Sequence, residues 1–291
     1  MKFKFKNFNI FWKEVLLFVF TQVLGILVAI RLSKFLKDLK LEPEPVSIVD
    51  FLIYFVIITL AVLIFLKISK KGTGLALQIF FVLAVFSGLD ILFGAFFGEP
   101  IAVVLSACLI ILRFIQPTVL IHNLIVIGGL AGIGGMLGLT LLPRDAIILL
   151  VILAIYDVIA VYKTKHMVKM AEAMIKKRVI LGIIVPGKIN QFRASMSDVE
   201  KNKIPVQRIL KPGKRSQFMI LGGGDLALPL LLISSVAGQS IIQAIIVLIF
   251  AVFGLLVMHF MFIKLKSKPM PALPPLAIFS ILGYLVSSLL I

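Results

Sequence analysis

Residues 218–238 read FMILGGGDLALPLLLISSVAG, an apolar run long enough to cross a membrane that carries one aspartate, Asp225, behind three glycines. An ionised carboxylate near a bilayer centre costs at least ~2.5–3.5 kcal/mol even on the lenient insertion scale. A residue held at that cost points to a function. What it does depends on whether the chain lives in a membrane and on what else lies at the same depth.

The composition answers the first question. Of the 291 residues, 61% are hydrophobic and 15% charged, whereas soluble domains sit near ~45–50% and ~25%. The chain reads as an all-α polytopic membrane protein. A spanning helix needs about 20 mostly apolar residues. That ruler marks about nine transmembrane helices, at 11–30, 48–66, 75–97, 101–115, 119–142, 146–162, 218–238, 241–263 and 274–291, the fourth being short.

The net charge of +17 follows from topology and implies no nucleic acid partner, because Lys and Arg gather on the cytoplasmic side of membrane proteins. With the N-terminus cytoplasmic and nine spans, about 25 of the 30 basic residues fall on the inner side and the C-terminus lies opposite. A multi-pass protein of the cell membrane is expected. The basic start and first apolar stretch resemble a signal peptide, but no small-x-small cleavage site precedes Arg31, so a retained first helix is expected.

Three parts follow along the chain: a six-helix part (1–163), a basic amphipathic and flexible cytoplasmic loop (164–217), and a three-helix part (218–291). In the loop, Met167, Met170, Ala171 and Met174 recur at helical spacing opposite a basic face, as in a helix lying on the inner leaflet. The segment VILGIIVPG, 179–187, is apolar enough to dock against the bundle. Gly128 with Gly132, and Gly134 with Gly138, allow close helix approach in the fifth span.

A second aspartate stands at the depth of Asp225. The sixth span leaves the bilayer about six residues, or ~9 Å, after Asp157, and the seventh returns about seven residues, or ~10 Å, before Asp225. Antiparallel neighbours thus bring two carboxylates to one level, each the other's partner. Ala154 and Ala160 keep the face around Asp157 small, while Gly222, Gly223 and Gly224 permit close contact and non-helical backbone before Asp225. Pro229 lacks the amide that would bond the Asp225 carbonyl, so that carbonyl is freed or the helix bends. Two carboxylates in one partly apolar pocket cannot both ionise easily and titrate as a unit. One then activates water as a base while its protonated partner polarises a peptide carbonyl, chemistry that needs neither metal nor organic cofactor.

The residues now assembled, Tyr156-Asp157, Gly222-Gly223-Gly224-Asp225 and Pro271-Ala272-Leu273, resemble the YD, GxGD and PAL motifs of the presenilin and signal peptide peptidase family, in that family's order and on a nine-span, presenilin-like frame. The chain looks like an archaeal-type homologue. The resemblance implies hydrolysis of transmembrane-helix substrates within the bilayer by Asp157 and Asp225. It implies that Tyr156, the three glycines and Pro271 to Leu273 shape the active site, and that a substrate strand adds beside it, for which residues 217–221 offer an edge. Gly223 departs from presenilin, where leucine is usual. Accessory subunits are not expected to be required, and a homo-oligomer is compatible with this reading. Before the first helical turn of the ninth span, Pro269, Pro271, Pro274 and Pro275 predict extended chain up to about Pro274.

The alternative from another class is an ion or proton transporter or leak channel, which also uses paired intramembrane acids. Other polar residues have plainer readings. Asp90 is a packing contact in the third span, Asn123 and Gln78 hydrogen-bond between helices, and His122 and His259 are packed histidines. Asp50, Arg113, Arg144 and Asp145 cap or snorkel at span ends. Cys108, the single cysteine, is expected as a small buried hydrophobe.

Overall fold

The computed structural model describes residues 2–41, 46–68, 73–163, 180–196, 218–264 and 270–290. Among these lie nine α-helices, α1 (Lys2–Asp38), α2 (Ile48–Ile68), α3 (Thr73–Phe97), α4 (Glu99–Ile115), α5 (Val119–Thr140), α6 (Pro143–Tyr162), α7 (Gly223–Ala237), α8 (Ile241–Lys264) and α9 (Leu273–Leu290), with strands β1 (Gly182–Pro186) and β2 (Phe218–Gly222). Six are long and apolar enough to cross a membrane: α1, α3, α5, α6, α8 and α9. The Met-striped segment expected on the inner leaflet lies outside the described residues.

The helix α5 is the centre of the bundle and packs against α1, α3 and α7. Its glycines make that possible. A Cβ on Gly132 would fall on the Gly88 carbonyl of α3, so the two backbones meet with no side chain between them. On the α7 side, Gly134 faces Leu230, and Gly138 faces Ser234 and the Leu231 carbonyl. Around this core α8 packs on α9, and α9 on α6, while α2 sits peripherally against α3.

The seventh span differs from its expected form. Residues 218–222 are a strand, and the helix starts only at Gly223, leaving a 15-residue α7. The physical cause is local and tertiary at once. Aromatic and β-branched residues followed by three glycines make a poor helix start, and the expected docking segment supplies a partner. Gly182 pairs with Gly222, Ile184 with Ile220 and Pro186 with Phe218, antiparallel. Ile183 and Leu221 face the main core, whereas Ile184 and Phe218 join a smaller cluster with Val119, Ile180 and Met196. Cys108 also departs from expectation, being exposed on α4.

Candidate active site

Asp157 stands on α6 five residues before the helix ends at Tyr162, about 7.5 Å along the axis. It is only 9% exposed. Its Oδ2 accepts a hydrogen bond from the Leu273 backbone amide at 3.1 Å. The reason is legible at the start of α9. Pro274 and Pro275 have no N–H, so the open amides of this helix start are those of Ala272 and Leu273, and that of Leu273 turns to the carboxylate. Pro271 is buried and outside the helix, in keeping with the extended approach predicted from the prolines.

Asp225 is the third residue of α7, with Gly222 as the N-cap. Its carboxylate lies against Gly222, the cap itself. The cap must be small here: a Cβ on Gly222 would stand 2.9 Å from Asp225 Oδ2. Gly223 donates its amide to the Leu181 carbonyl at 2.9 Å, extending the ladder into the helix start. Gly224 is exposed, with nothing within 4 Å of a Cβ. Pro229 lies inside α7 and offers no amide to the Asp225 carbonyl.

The helices α6 and α7, which carry Asp157 and Asp225, pack together. Beside the helix start is a cavity of about 290 Å³, lined by Phe81, Ala84 and Val85 of α3, Val126, Leu130 and Ile133 of α5, and Leu181, Gly223, Gly224 and Ala227. Tyr156 is 62% exposed and does not line this cavity. Among the described residues, no three His, Cys, Asp or Glu side chains converge into a metal-binding group.

Several polar residues do more than the sequence suggested. Asn123 bonds a strand, not a helix: its Nδ2 donates to the Ile184 carbonyl at 2.7 Å and its Oδ1 accepts the Ile184 amide at 2.8 Å. His122 Nε2 lies 3.0 Å from the Gly182 carbonyl, so the proton is on Nε2. The Lys13 ammonium donates to the Pro186 and Gly187 carbonyls at 3.0 and 3.1 Å. Arg113 does not simply snorkel; its guanidinium lies 4.9 Å over Phe81, which stacks on His122.

A third acid inside the bundle is Glu14. It is fully buried in α1, with Oε2 3.1 Å from His259 Nδ1 of α8. Glu14 escapes a reading by depth because it stands near the start of its span; its signal is one acid in a stretch, WKEVLLFVF, that is otherwise apolar after Lys13.

A family model described as "Signal-peptide peptidase, presenilin aspartyl protease" matches residues 15–291. No curated protein matches the chain. Among solved structures, a presenilin family intramembrane aspartate protease in a C222 crystal form is similar, with a TM-score of 0.65 and 21% identity over 97% of this chain and 99% of that one. A presenilin family intramembrane aspartate protease in a P2 form has a TM-score of 0.63 and 22% identity over 95% and 96%. At these identities the likeness is one of fold.

Proposed function

The chain belongs to the signal-peptide peptidase and presenilin aspartyl protease family, and from that premise we propose that it is a GxGD-type intramembrane aspartic endopeptidase in which Asp157 and Asp225 are the catalytic pair. The family and the apolar helices establish a multi-pass membrane protein of the aspartyl protease type. The observation that carries the finer reading is the placement of the two acids: Asp157 and Asp225 stand on helices that pack together, Asp157 held by the Leu273 amide and Asp225 in the first turn of its helix.

In this mechanism the ionised carboxylate takes a proton from a water molecule as the water oxygen bonds to the scissile carbonyl carbon. The protonated carboxyl group gives its proton to the carbonyl oxygen. The tetrahedral intermediate then returns that proton, the nitrogen receives the other, and the C–N bond breaks. The backbone amide of Leu273 holds Asp157 in place without adding a titrating group.

A transmembrane helix hides its peptide carbonyls in its own hydrogen bonds, so a substrate must be unwound before it is cut. Open backbone groups in lipid need replacement partners. The outer edge of β2 suits that need. Ile184 turns its N–H and C=O toward Asn123, so in the antiparallel register its partner Ile220 turns its own toward the opposite edge, two residues before Gly222. Gln217, at the start of the expected edge, lies outside the described residues. The apolar cavity beside Gly223 and Gly224 suits a substrate side chain. In this reading Pro271 to Leu273 and the glycines shape the site, the N-terminus is cytoplasmic, and the substrate approaches within the cell membrane.

The test is to purify the protein, reconstitute it in lipid and offer a labelled transmembrane peptide, with Asp157→Ala and Asp225→Ala as controls. Cleavage by the wild type and by neither variant is the expected result. Equal cleavage by all three, or none by any across several lipid compositions, overturns the protease reading and leaves ion or proton passage through the paired acids to be measured by flux.

A further inference from the structure

The strand β1 is gripped along its length by side chains from two membrane helices. His122 takes the Gly182 carbonyl, Asn123 takes both backbone groups of Ile184, and Lys13 takes the carbonyls of Pro186 and Gly187. The Asn123 contact differs in kind from the other two. A primary amide that donates to and accepts from a single residue reproduces what a neighbouring strand would offer at that position. Asn123 therefore stands in for a third strand on the outer edge of β1.

What this grip controls follows from the connectivity. The strand β1 fixes β2 through their ladder, and β2 runs directly into Gly222, the N-cap of the helix that carries Asp225 and the residue its carboxylate lies against. Asp157, however, is held from another direction, by the start of α9. The register between the substrate-facing edge at Ile220 and the two carboxylates thus depends on how firmly the sheet is fixed to the bundle. The fully buried Ile184 is the point of fixation, and Asn123, itself 2% exposed, sits on the central helix α5.

We propose that Asn123 is a positioning residue whose amide locks the β1–β2 sheet to α5 and thereby determines which peptide bond of the substrate meets the aspartate pair. The proposal rests on the reading of β2 as the substrate edge. Strand pairing is discrete, since a slip of one residue reverses every side chain, so loosening the sheet produces cuts at new bonds as well as slower cutting. A misplacement of about 1 Å at a reacting centre is enough to cost on the order of 100-fold in rate.

The experiment compares wild type, Asn123→Ala and Asn123→Gln on one transmembrane peptide in lipid, with product masses identifying every bond cut. In Asn123→Ala, kcat is expected to fall about tenfold or more, and the share of product from neighbouring bonds rises. Asn123→Gln keeps both amide functions on a longer arm and is expected to give one dominant bond again, at the original or a displaced position. If Asn123→Ala cuts the same bonds in the same ratio, at whatever rate, the residue is only structural and the proposal fails. If that variant does not fold, Asn123→Ser takes its place, and an unchanged product ratio in it sinks the proposal.

Two controls separate this failure from failure of the underlying reading. Cutting that survives loss of Asp157 or Asp225 removes the protease assignment. Cutting that is indifferent to N-methylation of the substrate amides around the scissile bond removes strand addition, whatever Asn123 does.

Discussion

The Leu273 backbone amide lies 3.1 Å from Asp157 Oδ2, a hydrogen bond between residues 116 positions apart in the chain. Because it comes from the main chain, side-chain substitution at Leu273 leaves it intact and only proline removes it. Proline suits a first helical position, so α9 tolerates the change. Losing a hydrogen bond to a charged group costs about 1.5–3 kcal/mol, so Leu273→Pro is expected to slow cleavage by about tenfold to a hundredfold. Leu273→Ala keeps the amide and is expected to lower thermal stability, by about 2–5 kcal/mol for a buried leucine, with a smaller effect on kcat. Rates and unfolding midpoints of the two variants, measured together in the same detergent, check this contrast.

Gly222 and Gly224 flank the same helix start but stand in different surroundings. The backbone of Gly222, at φ −62° and ψ 142°, suits any residue, so only the contact of a Cβ with Asp225 opposes substitution. Gly222→Ala is expected to leave the fold intact and to reduce kcat by about tenfold or more through the displaced carboxylate. Gly224→Ala meets open space, and its unfolding free energy is expected to stay within about 0.5 kcal/mol of wild type. Equal rates for wild type and Gly222→Ala would remove the steric argument.

The shared-proton chemistry predicts a bell-shaped pH profile. The base must be ionised and the acid protonated, so the rate falls on both sides of an optimum, and the two limbs belong to the pair jointly. Asp157→Asn and Asp225→Asn are each expected to lose about 10²–10⁴-fold or more in kcat. A flat profile, with chemistry shown by single-turnover kinetics to be rate-limiting, contradicts the model.

Glu14 and His259 tie α1 to α8 inside the bundle. Removing one partner strands the other without water, at about 1–3 kcal/mol for a buried polar group and more for a charge. Glu14→Leu is therefore expected to lower the unfolding midpoint clearly, whereas Glu14→Gln, which keeps an oxygen for the His259 N–H, loses less. Thermal melts of the two variants in one detergent decide it; equal loss would mean that the hydrogen bond contributes little and that volume alone matters.

The close contact of α3 with α5 supplies a last test. A methyl group on Gly132 has no room before the Gly88 carbonyl, and overpacking of this kind costs about 1–3 kcal/mol. Gly132→Ala is expected to reduce thermal stability, while Gly98→Ala, where space is open but φ is +83°, tests backbone strain separately from packing.

Much of this protein was determined by its sequence alone. Hydrophobic runs of spanning length specify a polytopic helical bundle because lipid leaves the backbone almost no other state. That Asp157 and Asp225 stand on helices that pack together was legible because both lie a similar number of residues from the same loop. The prolines around residues 269–275 marked an irregular approach to α9, since they cannot donate to a helix. Tertiary structure alone decided the rest. Whether residues 218–222 are the first turns of a helix or a strand depends on a partner, Gly182–Pro186, more than thirty residues earlier, and no local pattern announces that ladder. Asn123 read as a generic interhelical donor until the strand edge it completes was in place. The amide that holds Asp157, and the burial of Glu14 against His259, arise from contacts between distant segments. Periodicity and composition report what a segment requires of its surroundings; which group meets that requirement is settled only when the helices pack.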